Sequence, residues 1–253
     1  MKFISRLKKF LQRHCARTKQ GEILQLGSKI LVIGDSHVRS YARNVNFFPV
    51  FLGQGRLHNF TSDEYAENYR VKAERILRNT RSNVALLVLG EPDARHSLGL
   101  GWLPWERSKA DQARMRNRCP SIMRVEVEKS AQRICSLFTA FRKSFPETRL
   151  ISVSLHPVQM EEQNMAAQLL NELLAKSLGE DFFDLTAEVE SLRKALIDPV
   201  HHSGAIQPVV ERALSEQIIL TESRAIDVEE WDAEEVRSLF QENSQFGCFV
   251  PKL

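Results

Sequence analysis

The sequence predicts an α/β fold: a mostly parallel sheet with helices on both faces. Two observations lead there. Short apolar runs, each closed by a turn residue, recur along the chain as buried strands do. Longer segments with helical spacing separate them, and strands alternating with helices of that length make parallel sheets. The size agrees, since 253 residues with 43% hydrophobic and 26% charged side chains suit one soluble domain with short extensions.

Residues 1–20 read as an amphipathic helix, with Phe3, Ile4, Leu7, Phe10 and Leu11 on one face and lysine and arginine on the other. That face either docks on the body or meets an anionic membrane or a partner protein. Lys29 to Ile33 form the first strand, stopped at Gly34, and a helix is expected over 37–44. Pro49 to Leu52 form the second strand, before Gly53 and Gly55, and a helix follows over 62–79. Val84 to Leu89 is the most apolar run and reads as a central strand covered on both sides. Gly99, Gly101, Pro104 and Pro120 mark 96–121 as a long loop, and a helix spans 122–144. Arg149 to Ser154 form a strand, 161–178 a helix, Asp181 to Leu185 a short strand, and 205–220 the closing helix. The strands near 29–33, 84–89 and 149–154 are expected side by side and parallel, with the first in the middle. The chain thus divides into a basic helix (1–20), a body (21–221) and an acidic tail (222–253).

Charge and cysteines exclude several functions. The net charge of +3 joins seven basic and no acidic residues in 1–20 to eight acidic and three basic residues from Glu222 onward. The body lacks the broad basic face that nucleic acid requires. Cys15, Cys119, Cys135 and Cys248 make no CxxC pair and no zinc spacing, so free thiols in a cytoplasmic protein are expected. Asp198, His201 and His202 find no further ligand at helpful spacing, so no metal is expected. No cofactor is expected either. Dinucleotide and phosphate-loop glycine patterns are absent, as are Gly-x-Ser-x-Gly and His-Glu-x-x-His.

In a doubly wound sheet the reacting groups lie at the carboxyl ends of the strands. Gly34-Asp35-Ser36-His37 follows the first strand, where a serine hydroxyl is exposed and a helix N-terminus favours negative charge. Asp35 or Ser36 also suits a plain N-cap. Near the end of the body stands Asp198-Pro199-Val200-His201. An aspartate three residues before a histidine can orient the imidazole as a base for a serine. The same stretch also reads as a turn.

Together these blocks, over about residues 29–220, resemble the first and last blocks of the SGNH/GDSL hydrolase family. Gly53 after the second strand resembles the family's oxyanion-hole glycine. Gly90 stands where the family has its Gly-x-Asn block. The resemblance implies a three-layer α/β/α sandwich with a flavodoxin-like sheet and a serine hydrolase acting on esters. Ser36 is then the nucleophile, His201 the general base and Asp198 its orienting carboxylate, with the N–H groups of Ser36 and Gly53 holding the oxyanion.

The third block departs from the pattern. It reads Gly90-Glu91-Pro92-Asp93-Ala94-Arg95, and Pro92 stands where the family has an asparagine donor. Loss of one such donor typically lowers kcat by about 10²–10³-fold. Gly-Asp-Ser-His with Gly-Glu-x-Asp-x-Arg resembles a bacterial subgroup associated with surface-polysaccharide loci, which implies an O-acyl carbohydrate ester as substrate. Arg95 either takes the place of the missing donor or pairs with Glu91 or Asp93 to hold the loop. The alternatives are a sugar O-acyltransferase using the same triad, and an inactive binding or scaffold protein with this fold. A cytoplasmic location, with the basic helix as a peripheral membrane or protein contact, completes the expectations.

Overall fold

The structure is a computed structural model and describes residues 30–41, 46–52, 66–97, 120–155, 161–190, 204–217, 219, 223, 224 and 226. Its strands are β1 (Ile30–Gly34), β2 (Phe47–Phe51), β3 (Val84–Val88), β4 (Arg149–Val153) and β5 (Phe182–Phe183). Its helices are α1 (Ala66–Thr80), α2 (Glu91–Ser97), α3 (Pro120–Ser144), α4 (Glu161–Leu178), α5 (Thr186–Glu190) and α6 (Gln207–Glu216). A 3₁₀ helix, Ser36–Tyr41, follows β1, and another, Gly204–Ile206, leads into α6.

All pairings among these strands are parallel, in the order β2-β1-β3-β4-β5. The flanking helices make this a three-layer α/β/α fold, as expected. The strands are buried on both faces, which is why they read as continuous apolar runs. Leu31, Ile33, Ala85 and Leu87 face one layer, built from α1, α2, α3 and α4. Ile30, Val32, Leu86 and Val88 face the other, with Val38 and Tyr41 of the first 3₁₀ helix, Val189 of α5 and Val210 and Leu214 of α6. Each fully buried Leu, Ile or Phe in these layers contributes roughly 1.5–3 kcal/mol.

Three expectations need correction. The middle strand is β3, not β1. The chain steps from β1 to β2 on one side, crosses back to β3, and then continues outward, which leaves the most apolar strand at the centre. The helix expected over 37–44 is the 3₁₀ helix Ser36–Tyr41. The long loop expected over 96–121 gives up residues 96 and 97 to α2, and 120 and 121 to α3. Pro92 falls in the first turn of α2, where the N–H groups have no intrahelical partner and a proline loses nothing. The expectations for 1–20, for Gly53, for the loop beyond Ser97, for Asp198 and His201, and for nearly all of the acidic tail lie outside the described residues. Among those described, no helix is long and apolar enough to cross a membrane.

Candidate active site

In a sheet of this order the direction of winding reverses between β1 and β3, and the crevice beyond their carboxyl ends is the usual ligand site. Here the two strands approach closely. A Cβ on Gly34 would lie 1.9 Å from the Val88 carbonyl oxygen, so only glycine fits. The Asp35 N–H donates to the Val88 carbonyl at 3.1 Å, and the Leu52 N–H donates to the Gly34 carbonyl at 2.9 Å. The turn that carries Ser36 is therefore pinned to both neighbouring strands.

Ser36 is half-buried and opens the 3₁₀ helix. The residues on either side are buried and joined to each other. Asp35 Oδ1 accepts the His37 N–H at 2.9 Å and lies 2.9 Å from His37 Nδ1. A carboxylate only accepts, so the imidazole proton in this contact sits on Nδ1. The sequence reading offered Asp35 as an N-cap. The structure gives it that kind of bond to a backbone N–H and adds the imidazole.

Gly90 turns the chain from β3 into α2. Its φ of +113° lies in the region that side chains avoid, and a Cβ there would meet Leu170 at 3.1 Å and Ile134 at 3.3 Å. Its carbonyl accepts the Ala94 N–H at 2.9 Å and starts the helix. Arg95 Nη2 donates to Glu91 Oε2 at 3.1 Å, with the guanidinium arm largely buried. The other oxygen, Glu91 Oε1, accepts Gln163 Nε2 at 2.5 Å. Of the two readings of Arg95, the geometry contains the pairing with Glu91.

A small recess of about 10 Å³ lies at this edge of the sheet. His37, Glu91, Ser154 and Gln163 supply its polar lining, and Val88 and Leu155 belong to its apolar wall. Ser154 Oγ accepts the Leu185 N–H at 2.9 Å, tying the end of β4 to the segment after β5. Asn171 clamps the next residue: its Oδ1 accepts the Leu155 N–H at 2.8 Å and its Nδ2 donates to the Leu155 carbonyl at 3.0 Å.

On the other face, α6 holds the Ser36 helix. Gln207 Nε2 donates to the Ser40 carbonyl at 2.7 Å, and Ile206 is buried in the same core as Val38 and Tyr41. Among the described residues no cluster of His, Cys, Asp or Glu could hold a metal ion.

The structure thus gathers Ser36, Gly90 and Arg95 at the carboxyl ends of β1 and β3, while Gly53, Asp198 and His201 lie outside the described residues. Sequence reasoning missed Gln163, Ser154 and Asn171. Gln163 and Asn171 did leave a signal: they stand at 163 and 171 on the stripe that also carries Ala167 and Leu170. An uncharged amide on the apolar face of a helix marks a buried partner that needs it. No family model and no curated protein sequence matches the chain.

Proposed function

We propose that the protein is an SGNH-like serine hydrolase that cleaves an ester, an O-acyl group on a carbohydrate, through an acyl-enzyme on Ser36. His201 takes the serine proton and later delivers it to the leaving alcohol, and Asp198 orients His201. The N–H groups of Ser36 and Gly53 hold the oxyanion. The carbohydrate rests on the resemblance of the Gly-Asp-Ser-His and Gly-Glu-x-Asp-x-Arg blocks alone.

One observation carries this reading. Gly204–Ile206, which begins three residues after His201 in sequence, packs on the 3₁₀ helix that begins with Ser36. Two motifs more than 160 residues apart in sequence are thereby flanked by segments in contact. Either motif alone has an ordinary reading as a cap or a turn. The contact between the Ser36 helix and the segment just after the second motif supports a shared reaction centre.

A second reading is favoured by α2. Pro92 occupies the asparagine position, and Arg95 is engaged with Glu91. That leaves two backbone donors for an oxyanion, which suits a weak hydrolase or a scaffold that kept the fold. A fluorophosphonate probe on the purified protein separates the two. A hydrolase, or a transferase with the same triad, is labelled at Ser36 and loses the label in Ser36→Ala. A scaffold is not labelled. Product analysis with an added sugar acceptor then distinguishes hydrolysis from transfer.

A further inference from the structure

The Arg95–Glu91–Gln163 chain ends in an acceptor. Glu91 can only accept, so Gln163 must turn its Nε2 toward Glu91, and the amide oxygen is left on the opposite side. Arg95 holds the other oxygen of Glu91 and keeps the carboxylate in place. Gln163 is 1% exposed, and its Oε1 has no hydrogen-bond partner among the described residues, yet the residue lines the recess. Buried amide oxygens rarely go unpaired, because the lost hydration is not repaid. Ser154 lines the same recess, and its Oγ accepts from the Leu185 N–H and keeps its own proton to donate.

We infer that the recess is a binding site for one neutral hydroxyl, which donates to Gln163 Oε1 and accepts from Ser154. An oxyanion does not suit it, since it has no proton to donate to the amide oxygen. The size sets the occupant, since about 10 Å³ is the room that a single water needs. In the free protein the hydroxyl is a water. The third block therefore does not replace the missing oxyanion donor. Its Glu91 and Arg95 aim an acceptor, and Gln163 is a positioning residue for the bound hydroxyl. This inference does not depend on the hydrolase reading.

A crystal structure of the whole protein, at a resolution that shows ordered solvent, tests it. The expected result is one ordered water within about 3.2 Å of Gln163 Oε1, absent in Gln163→Leu. Should Gln163→Leu not fold, Gln163→Met carries the same test. A dry recess in the wild type, or a water that stays in place in the folded variant, overturns the inference. A crystal soaked in methanol identifies the source of the hydroxyl. A retained water marks a site for solvent alone, and a methanol oxygen at the same position marks one that also takes a carbon-bound hydroxyl; both uphold the donor site. Fluorophosphonate labelling of the same protein keeps the two questions apart, because failure to label Ser36 refutes the hydrolase while the water still decides the recess.

Discussion

Gly34→Ala is the substitution that most directly probes how the candidate site is held. Gly34 pairs with Phe51 of β2 on one side and Val88 of β3 on the other. Its new Cβ would stand 1.9 Å from the Val88 carbonyl oxygen, where real Cβ contacts essentially never fall below 3.0 Å. The obstacle is backbone, not the end of a flexible side chain. The strands must part by about 1.1 Å, which leaves no good geometry for the Asp35 N–H bond to Val88, already 3.1 Å long. Two or so ladder bonds are lost at about 1 kcal/mol each, and their buried groups go unsatisfied at about 1–3 kcal/mol more. The expected destabilisation is about 3–5 kcal/mol. For a domain of this size that corresponds to a fall in Tm of roughly 10 °C. Thermal melts, with urea titration to confirm an unchanged m-value, measure it. A Tm within about 2 °C of wild type would refute the claim that β1 and β3 touch backbone to backbone here.

Four further outcomes follow from the same structure. On the proposed function, Ser36→Ala and His201→Ala should each abolish ester cleavage, and the double variant should be no worse than either; additive losses in kcat/KM would show that the two do not act as a unit. Arg95→Ala leaves the buried Glu91 carboxylate without its cation, so stability should fall by about 3 kcal/mol in urea titration. Fluorophosphonate labelling of Ser36 per folded molecule should persist in that variant, and a labelling rate that fell more than about tenfold would reassign Arg95 to the substrate. Tyr41 is fully buried, its hydroxyl meets no hydrogen-bond partner among the described residues, and burial pushes its pKa upward. Tyr41→Phe should therefore raise stability by about 1 kcal/mol, and a loss would reveal a partner for the hydroxyl. Burial, and then the nearby Arg75, lower the Lys72 pKa from 10.5 to about 8. The unfolded chain binds the extra proton between those values, so stability should rise with pH from about 8 to 10.5, and Lys72→Met should flatten that slope.

The strands were legible because a parallel sheet buried on both faces needs uninterrupted apolar residues, and Ile30–Gly34 and Val84–Val88 have them. Strand order was less legible. Nothing in an apolar run such as Leu31 to Ile33 says which neighbour it meets, so β3 rather than β1 at the centre had to come from the pairing. The helix α2 escaped notice because Gly90-Glu91-Pro92 carries two residues that also mark loops. Their meaning is positional: Gly90 needs a positive φ, and Pro92 sits where a helix has no N–H to lose. Arg95 was legible as one of two arrangements, since Glu91 stands four residues before it, the spacing at which side chains meet on a helix. Gln163 pairs across 72 residues, and such a contact leaves only a polar break in an apolar stripe.

The Asn171 clamp has a consequence for how the edge of the sheet opens. Its amide engages both the N–H and the carbonyl of Leu155, as a neighbouring strand residue would, but from α4. Leu155 lies beyond the last paired residue of β4 and has no ladder of its own to protect it. Its amide proton can exchange with solvent only when α4 lifts away. In native-state hydrogen exchange Leu155 should thus share the opening free energy of the buried face of α4 rather than that of a loop. The rim of the candidate site belongs to the helix layer's cooperative unit, and a solvent-side substitution that loosens α4 would be felt there first.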